Sequence, residues 1–324
     1  MKNEPNTEVF FDMVSVTYYE VESERLTIKS NLTDLSNSKL NNRGVSSVGS
    51  DNNDLDDYTV KHYKEKDGRY NHTYDFRIPT DTEQGYFSFK VSIYPVNKSH
   101  NFIRFEFNPT KLGSTGRRKL RRLLIRILGL KQARSLFYEG RLTRLDTTVD
   151  FHGTVNNSYL YMKKVNCSEL VRGVDGEVES QICGSSGSDV RVTLYDKTKE
   201  QADRSRAAAV DRVCRMRLEI VNRDLGFSMD EIRTKLRNHF KKLSFFRDDF
   251  LADDYFDGDF LAAAQAEGLN AALSQLDSNT RRRYLRRLKH YAFNPFKLRK
   301  LTIGPGLKSL RFLRSSKYVP SVVV

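Results

Sequence analysis

The chain has 324 residues and a formal net charge of +14, so a polyanionic partner, above all nucleic acid, is expected. No segment is long and apolar enough to predict a membrane span, and the first residues lack the apolar stretch of a secretory signal, which predicts a cytoplasmic protein without a membrane partner. Three widely spaced cysteines (Cys167, Cys183 and Cys214) form neither a disulfide framework nor a zinc pattern.

The first part of the chain alternates strand patterns with one polar segment and one basic segment. Residues 10–21 predict an opening strand, whereas residues 28–57 are rich in Ser, Asn and Asp and predict a flexible loop. Residues 84–95 alternate and run by a short turn into residues 102–108, which is a hairpin signal. Residues 115–138 place apolar side chains at helical spacing, so they predict one helix packed on the sheet; phosphate contact by its basic face is the alternative.

Four segments alternate with a period of two, which gives each of them one apolar and one polar face. They are residues 102–108, 141–150, 189–197 and 214–221. If they pair in one sheet, the polar side gathers Glu106, Asp146, Glu219, Tyr195, Lys197, Arg104, Arg144 and Arg217. Neighbouring carboxylates repel each other unless a cation lies between them. The pattern therefore suits a divalent metal ion and a phosphodiester.

The connecting and C-terminal segments complete the predicted organisation. Residues 158–171 predict a helix, and GSSGSD (184–189) predicts a tight turn between two strands. After Asn222 the pattern becomes helical, opened by a capping-box signature at residues 228–231. The tail from Asn279 holds many Lys and Arg and no acidic residue, so it predicts a DNA-binding arm, with a solvated helix face as the alternative. Its candidate phosphate contacts are Arg282, Arg283 and Arg286.

These elements predict an α+β fold with a mostly antiparallel central sheet, helices on one face of the sheet, and a helical C-terminal region. We expect residues 1–222 to form a catalytic domain and residues 223–324 to form a helical, basic region.

Four sequence blocks resemble a known family. They are IRFEFNPTKLG (103–113), LTRLDTTVDFHG (142–153), VTLYDKTKE (192–200) and MRLEIVNRDLGF (216–227). In this order they resemble the signature blocks of filamentous-phage gene-II-type replication initiators, which look related to plasmid initiators of the Rep_trans type. The resemblance covers about residues 100–227. It implies rolling-circle replication, in which origin DNA is nicked and rejoined at a specific site through a 5′-phosphotyrosyl link.

The resemblance also implies roles for individual residues. Tyr195 would be the nucleophile, with Lys197 stabilising charge or helping to deprotonate it, because a hydroxyl with a pKa near ~10 needs a cationic neighbour at neutral pH. Asp146, Glu219 and Glu106 would hold Mg²⁺ or Mn²⁺, since hard cations prefer carboxylate oxygens. Arg144 and Arg217 would contact DNA. The expected partner is the replication origin of a phage or plasmid; host helicase, host polymerase and self-association are left open.

Other assignments remain open at this level. The sequence has no His-x-His pair, and the strand before the Gly-Ser turn has no tyrosine, which favours Tyr195. A non-catalytic DNA-binding replication regulator would bind DNA without metal dependence. A metal-dependent nuclease that uses water would leave Tyr195 with a structural role. RNA binding is least favoured because no RNP-like aromatic motif is present.

Overall fold

The computed structural model describes residues 8–19, 22–41, 58–64, 69–81, 85–97, 99–153, 157–205, 215–295 and 301–314. Its strands are β1 (Phe10–Tyr19), β2 (Thr59–Tyr63), β3 (Tyr70–Pro79), β4 (Tyr86–Pro95), β5 (Phe102–Phe107), β6 (Arg141–His152), β7 (Ser158–Met162), β8 (Ser168–Arg172), β9 (Val178–Cys183), β10 (Val190–Asp196), β11 (Arg215–Arg223), β12 (Leu243–Arg247) and β13 (Ala292–Phe293). Its α-helices are α1 (Glu22–Asn41), α2 (Gly113–Leu128), α3 (Leu130–Glu139), α4 (Lys197–Ser205), α5 (Ile232–Lys235), α6 (Gly258–Glu267), α7 (Leu269–Ser274), α8 (Ser278–Leu288) and α9 (Gly304–Arg314).

The predicted α+β class is confirmed. A large antiparallel sheet has the strand order β2-β3-β4-β5-β1-β6-β11-β10-β9-β8, and a small sheet has the order β13-β12-β7. The hairpin predicted over residues 84–108 is present as β4 and β5, which pair antiparallel. No helix within these described ranges is long and apolar enough to cross a membrane.

The chain divides into two compact units. Unit 1 comprises Met1–Val9, Asp146–Arg223 and Arg237–Ile303; unit 2 comprises Phe10–Leu145, Asp224–Leu236 and Gly304–Val324. Both compact units draw segments from either side of residue 222, and the division into a catalytic domain (residues 1–222) and a basic region (residues 223–324) stays a prediction. Most of the C-terminal third clusters with the strands of unit 1, and α9 belongs to unit 2.

Unit 2 has an aromatic core built across three strands. The rings of Phe76, Phe89 and Phe105 are fully buried and follow one another at centroid distances of 5.9 and 6.1 Å. Such rows form because alternate side chains of a strand share one face, so neighbouring strands bring the same kind of side chain together. The opposite face carries polar side chains, as the alternation predicts.

The predicted loop over residues 28–57 is wrong in its first part, because α1 continues to Asn41. Ile28 and Leu32 are one helical turn apart and both are buried. The Asn31 amide nitrogen Nδ2 also donates a hydrogen bond of 3.0 Å to the carbonyl oxygen of Ile127. Buried apolar side chains and tertiary hydrogen bonds, including one from Gln132 to Glu24, thus hold a helix whose composition is largely polar. Residues 42–57 lie outside the described residues.

The basic helix predicted over residues 115–138 is two helices. Its predicted inner face, with Leu120, Leu123 and Ile127, is buried. Gly129 has a φ of +83° and ends α2 by donating its backbone N–H to the carbonyl oxygen of Ile125 at 2.8 Å. Glycine adopts this left-handed backbone without the steric cost of a Cβ atom.

Unit 1 contains two strands where the sequence predicts one helix over residues 158–171. These strands are β7 and β8. Leu160 and Met162 of β7 pack into the core beneath the large sheet, whereas Tyr159 packs against Phe250 in a second core formed with the C-terminal helices. A strand buried on both faces has no apolar–polar alternation, which explains why the pattern did not indicate a strand.

The capping box predicted at residues 228–231 forms only one of its two hydrogen bonds, and the helix α5 that follows is short and has no side-chain cap. The Ser228 backbone N–H donates to the Glu231 carboxylate at 3.0 Å. Helix α5 then ends at Lys235, and Leu243 begins strand β12, which pairs with β7 through Leu160 and Phe245. Burial of β12 side chains between two strands outweighs the local helical preference.

We expect Gly306→Ala to destabilise the protein by about 1–3 kcal/mol, because it overpacks a filled site. A Cβ atom on Gly306 of α9 would lie 2.8 Å from two carbon atoms of the Phe11 ring, which is fully buried. Gly258→Ala is the matched control, since a Cβ atom added to Gly258 would meet no other atom within 4 Å. Urea unfolding midpoints measure the difference. Equal midpoints for the two variants would show that α9 shifts without cost.

Acidification should weaken unit 1 through His239. Burial, with the nearby charges of Lys242 and Arg237, lowers the pKa of His239 to about 4. An unfolded histidine has a pKa near ~6.5, so the unfolded state binds more protons between these values, and stability falls as the pH drops from about 6.5 to 4. His239→Gln should flatten the pH dependence of the urea midpoint in this window. An unchanged slope would assign the acid sensitivity to other groups.

Candidate active site on the polar face of β10 and β11

The pairing of β10 with β11 places the predicted nucleophile. Val192 and Leu194 of β10 pack into the core of unit 1 with Leu218 of β11. The opposite face therefore carries Tyr195, which lies directly opposite Arg217 in the antiparallel register. Directly opposed residues share one sheet face, with Cβ atoms roughly 5 Å apart.

The end of β10 is determined by Asp196. Its Oδ1 accepts hydrogen bonds from the backbone N–H groups of Thr198 and Lys199, at 2.8 and 2.9 Å. This carboxylate caps the first turn of α4, because the first N–H groups of a helix have no partners within it. Lys197 therefore begins a helix, and its predicted place on the strand face of Tyr195 is wrong.

Lys197 nevertheless lies beside the tyrosine. Its ammonium nitrogen is 5.7 Å from the centre of the Tyr195 ring, and it forms an ion pair with Glu200 one helical turn later. A cation at this distance interacts with the ring face. The turn from β10 into α4 thus places Lys197 beside Tyr195, although the two residues do not share a strand face.

Arg217 is held in place by Asp150 of β6. The guanidinium donates two hydrogen bonds to this carboxylate, from Nε to Oδ1 at 2.7 Å and from Nη2 to Oδ2 at 2.9 Å. Such a two-point bond orients the planar guanidinium as well as pairing its charge. Arg217 is 8% exposed, so this pair is largely withdrawn from water. Arg217 therefore lies between the carboxylate of β6 and the tyrosine of β10.

Asp150 was not singled out from the sequence. It lies in the same strand as Asp146, and a spacing of four residues puts both carboxylates on one side of a strand. The alternation of residues 141–150 places Asp150 on the same face as Asp146, but the resemblance implied a role only for Asp146.

Helix α4 is attached to the neighbouring strands at its start. The Arg215 backbone N–H donates to Thr198 Oγ1 at 2.9 Å, and its guanidinium donates to Gln201 Oε1 at 3.0 Å. Lys199 forms an ion pair of 2.6 Å with Glu179 of β9. These bonds hold the turn that carries Lys197.

The predicted metal ligands are distributed over both units. Asp146 is buried in β6 and Glu219 is half-buried in β11; both belong to unit 1 and lie on the sheet face opposite its core. Glu106 belongs to unit 2 and forms an ion pair of 3.1 Å with Arg104. Within the described ranges, no three His, Cys, Asp or Glu side chains form a group that could hold a metal ion. The residues therefore do not supply a three-donor site, and Mg²⁺ or Mn²⁺ binding stays a prediction.

The predicted DNA-binding arginines occupy different environments. Arg282, Arg283 and Arg286 of α8 are exposed, whereas Arg144 is half-buried in β6 and Arg217 is committed to Asp150. The neighbouring Arg281 and Arg287 instead make hydrogen bonds that stabilise the fold. Arg281 donates to the carbonyl oxygens at the end of α7, and Arg287 forms a two-point bond with Asp253 at 2.6 and 3.2 Å. Removing all five arginines of α8 would therefore damage unit 1 as well as remove its exposed charge.

Among known proteins, similarity to this chain is found in the solved structures. No family model matches the chain, and no curated protein matches it either. Among solved structures, the chain is similar to a rolling circle replication initiator protein from Geobacillus stearothermophilus. The TM-score is 0.35 with 17% sequence identity, over 67% of this chain and 75% of that chain.

Proposed function

We propose that the chain is a rolling-circle replication initiator that nicks and rejoins origin DNA with Tyr195 as the nucleophile. The observation that carries the proposal is the position of Tyr195 directly opposite Arg217, with the Lys197 ammonium 5.7 Å from its ring. The four sequence blocks that resemble phage and plasmid initiators support the same assignment, since two of them supply these residues.

The proposed reaction is a transesterification that conserves the number of phosphoester bonds. The Tyr195 oxygen bonds to phosphorus while the bond from phosphorus to the 3′ oxygen breaks, and a 5′-phosphotyrosyl link remains. The phenolic proton passes to water, and the Lys197 ammonium beside the ring stabilises the phenolate that remains. The departing 3′ oxygen takes up a proton. The reverse reaction rejoins the strand without ATP.

Two cations of unit 1, Arg217 and Lys197, are assigned to the phosphate charge. A phosphodiester gains negative charge on its non-bridging oxygens during attack, and preorganised cations stabilise that charge. Arg217 stays protonated at every physiological pH, so its contribution is electrostatic. Asp150 acts through Arg217 by holding the guanidinium, and we class it as a positioning residue.

Metal dependence is a separate proposal that EDTA tests. A bound Mg²⁺ or Mn²⁺ would add positive charge at the phosphate, and Asp146 and Glu219 are the residues of unit 1 assigned to it. We expect EDTA to stop nicking, and Asp146→Asn and Glu219→Gln to lose nicking while keeping DNA binding, because an amide is a poorer magnesium ligand. Full nicking in EDTA would assign these carboxylates to proton transfer or to the fold.

The deciding experiment uses supercoiled DNA that carries the coding sequence of the chain with its flanks, incubated with the protein and Mg²⁺. We expect nicked circles with covalently attached protein. Salt-sensitive binding without nicking would indicate a non-catalytic replication regulator. Nicked circles without attached protein would indicate a nuclease that uses water. Binding to a host helicase or polymerase and self-association of the chain stay predictions, and the same purified protein can be used to test them.

A further inference from the structure

Three helices of unit 2 carry an unusual charge. Helices α2, α3 and α9 together contain eleven Lys or Arg residues and one acidic residue, Glu139, at the last position of α3. The helices contact one another, so these charges belong to one helical layer rather than to three separate places. We call the cations of α2, α3 and α9 the basic layer.

Most apolar side chains of this layer face inward, although Leu130 and Tyr138 of α3 are exposed. Leu123 and Leu124 of α2, Leu136 of α3, and Leu310 and Leu313 of α9 are buried. A helix that binds a lipid surface must insert an apolar face between headgroups, and here the buried leucines already occupy that face. The outward side therefore carries mainly charged side chains, which suits a polyanion in water.

Two arginines face the same small cavity without acidic partners. Arg121 of α2 and Arg134 of α3 line it together with Leu313 of α9. Neither arginine forms an ion pair within the described residues. The pKa of Arg121 is lowered, first by burial and then by repulsion from Arg134. An anion between the two guanidinium groups would remove that repulsion.

A second row of cations runs along α2. Arg118, Arg122 and Arg126 recur every four residues, so they lie along one side of the helix over about 12 Å. Arg118 and Arg126 are exposed and Arg122 is half-buried. Eight of the eleven cations in the basic layer are arginines, whose planar guanidinium groups bind phosphate oxygens at two points.

We propose that the basic layer binds the sugar-phosphate backbone of duplex DNA, with Arg121, Arg122 and Arg134 making direct phosphate contacts. The proposal deepens the proposed function by naming where the duplex is held, and it rests on that function only in requiring DNA as the partner. Contacts of this kind carry no sequence information; they supply affinity and orientation, and the polar face around Tyr195 supplies the chemistry.

The first test removes charge from the basic layer. A plot of log affinity against log salt falls more steeply by roughly 0.9 for each phosphate contact. The triple variant Arg121→Gln, Arg122→Gln, Arg134→Gln should therefore make this slope shallower by about 2–3. The matched control is Arg233→Gln, Arg237→Gln, Lys241→Gln, which removes the same charge from exposed positions elsewhere. Its slope should change by less than about 0.5. The charge-keeping variant Arg121→Lys, Arg122→Lys, Arg134→Lys should retain the wild-type slope.

The second test uses the unmodified protein and does not depend on the folding of any variant. Lys131 of α3 and Lys308 of α9 are exposed, so acetylation should reach both in the free protein. Duplex DNA should slow their acetylation at least about tenfold, while exposed Lys235 and Lys241 continue to react. Vesicles that contain anionic lipid should give no protection.

The outcomes separate this proposal from the proposed function. An unchanged salt slope together with unprotected Lys131 and Lys308 overturns the basic layer as a DNA surface, even if Tyr195 forms an adduct. Protection by anionic vesicles but not by DNA assigns the layer to lipid and overturns it as well. Repeating the slope measurement in a Tyr195→Phe background should give the same loss, so the layer stands even if no adduct ever forms.

Discussion

Tyr195→Phe is expected to abolish nicking, rejoining and the protein–DNA adduct together, each by on the order of 10³-fold or more, because every step passes through the phosphotyrosine. Phenylalanine keeps the ring beside Lys197 and its packing in β10. The unfolding free energy and the affinity for origin DNA should therefore stay within about 1 kcal/mol of wild type, which is the net value of one hydroxyl hydrogen bond. Denaturing gels of labelled DNA measure the adduct, and urea titration measures stability.

Tyr159→Phe and Tyr161→Phe are the matched controls. Both tyrosines lie in β7 of the same unit, and burial raises the pKa of each above its usual value. A phenol that is harder to ionise is a poorer nucleophile, so both variants should nick and form the adduct at the wild-type rate. An adduct with Tyr195→Phe would move the nucleophile to another residue. Nicking by Tyr195→Phe without an adduct would support a reaction with water.

The sequence predicted strands well where one strand face is buried. Residues 102–107 and 190–196 alternate because one side meets a core and the other does not, and they form β5 and β10. The prediction of a helix at residues 158–162 was wrong because both faces of β7 are buried, one in each core of unit 1. Residues 28–41 were mispredicted for the opposite reason, since that stretch is mostly polar and Ile28 and Leu32 give too weak a helical signal in the sequence.

The candidate site was predictable in its membership more than in its geometry. The alternation of β11 puts Arg217 and Glu219 on one face, and the register of the structure, which the sequence did not predict, sets Arg217 opposite Tyr195. Lys197 was misplaced because Asp196 caps a helix, a local hydrogen bond that competes with the strand pattern. The partner of Arg217 could not be chosen from the sequence, because several carboxylates shared the same period and only the strand order makes Asp150 the one that binds it.

Arg217→Gln is expected to lower the rate of nicking by about 10²–10³-fold, the usual cost of losing one preorganised donor to a developing negative charge. The same change leaves Asp150 without its two-point partner and should reduce stability by about 1–3 kcal/mol. Single-turnover nicking measures the rate. Arg223→Gln is the control on the same strand, since Arg223 donates to the carbonyl oxygen of Ser188 and has no place in the proposed chemistry.

Asp150→Asn tests whether Asp150 acts only through Arg217. It keeps the arginine but replaces one charged acceptor, so the guanidinium is less well oriented and we expect a loss of about 10–100-fold in the rate, with DNA affinity retained. If Asp150 is a positioning residue, Asp150→Asn should cost almost nothing further in the Arg217→Gln background, because residues that act as one unit are not additive. Two independent losses that multiply in the double variant would give Asp150 a role of its own at the phosphate. A purely structural pair would instead lower stability in all three variants and leave the single-turnover rate of the folded protein unchanged.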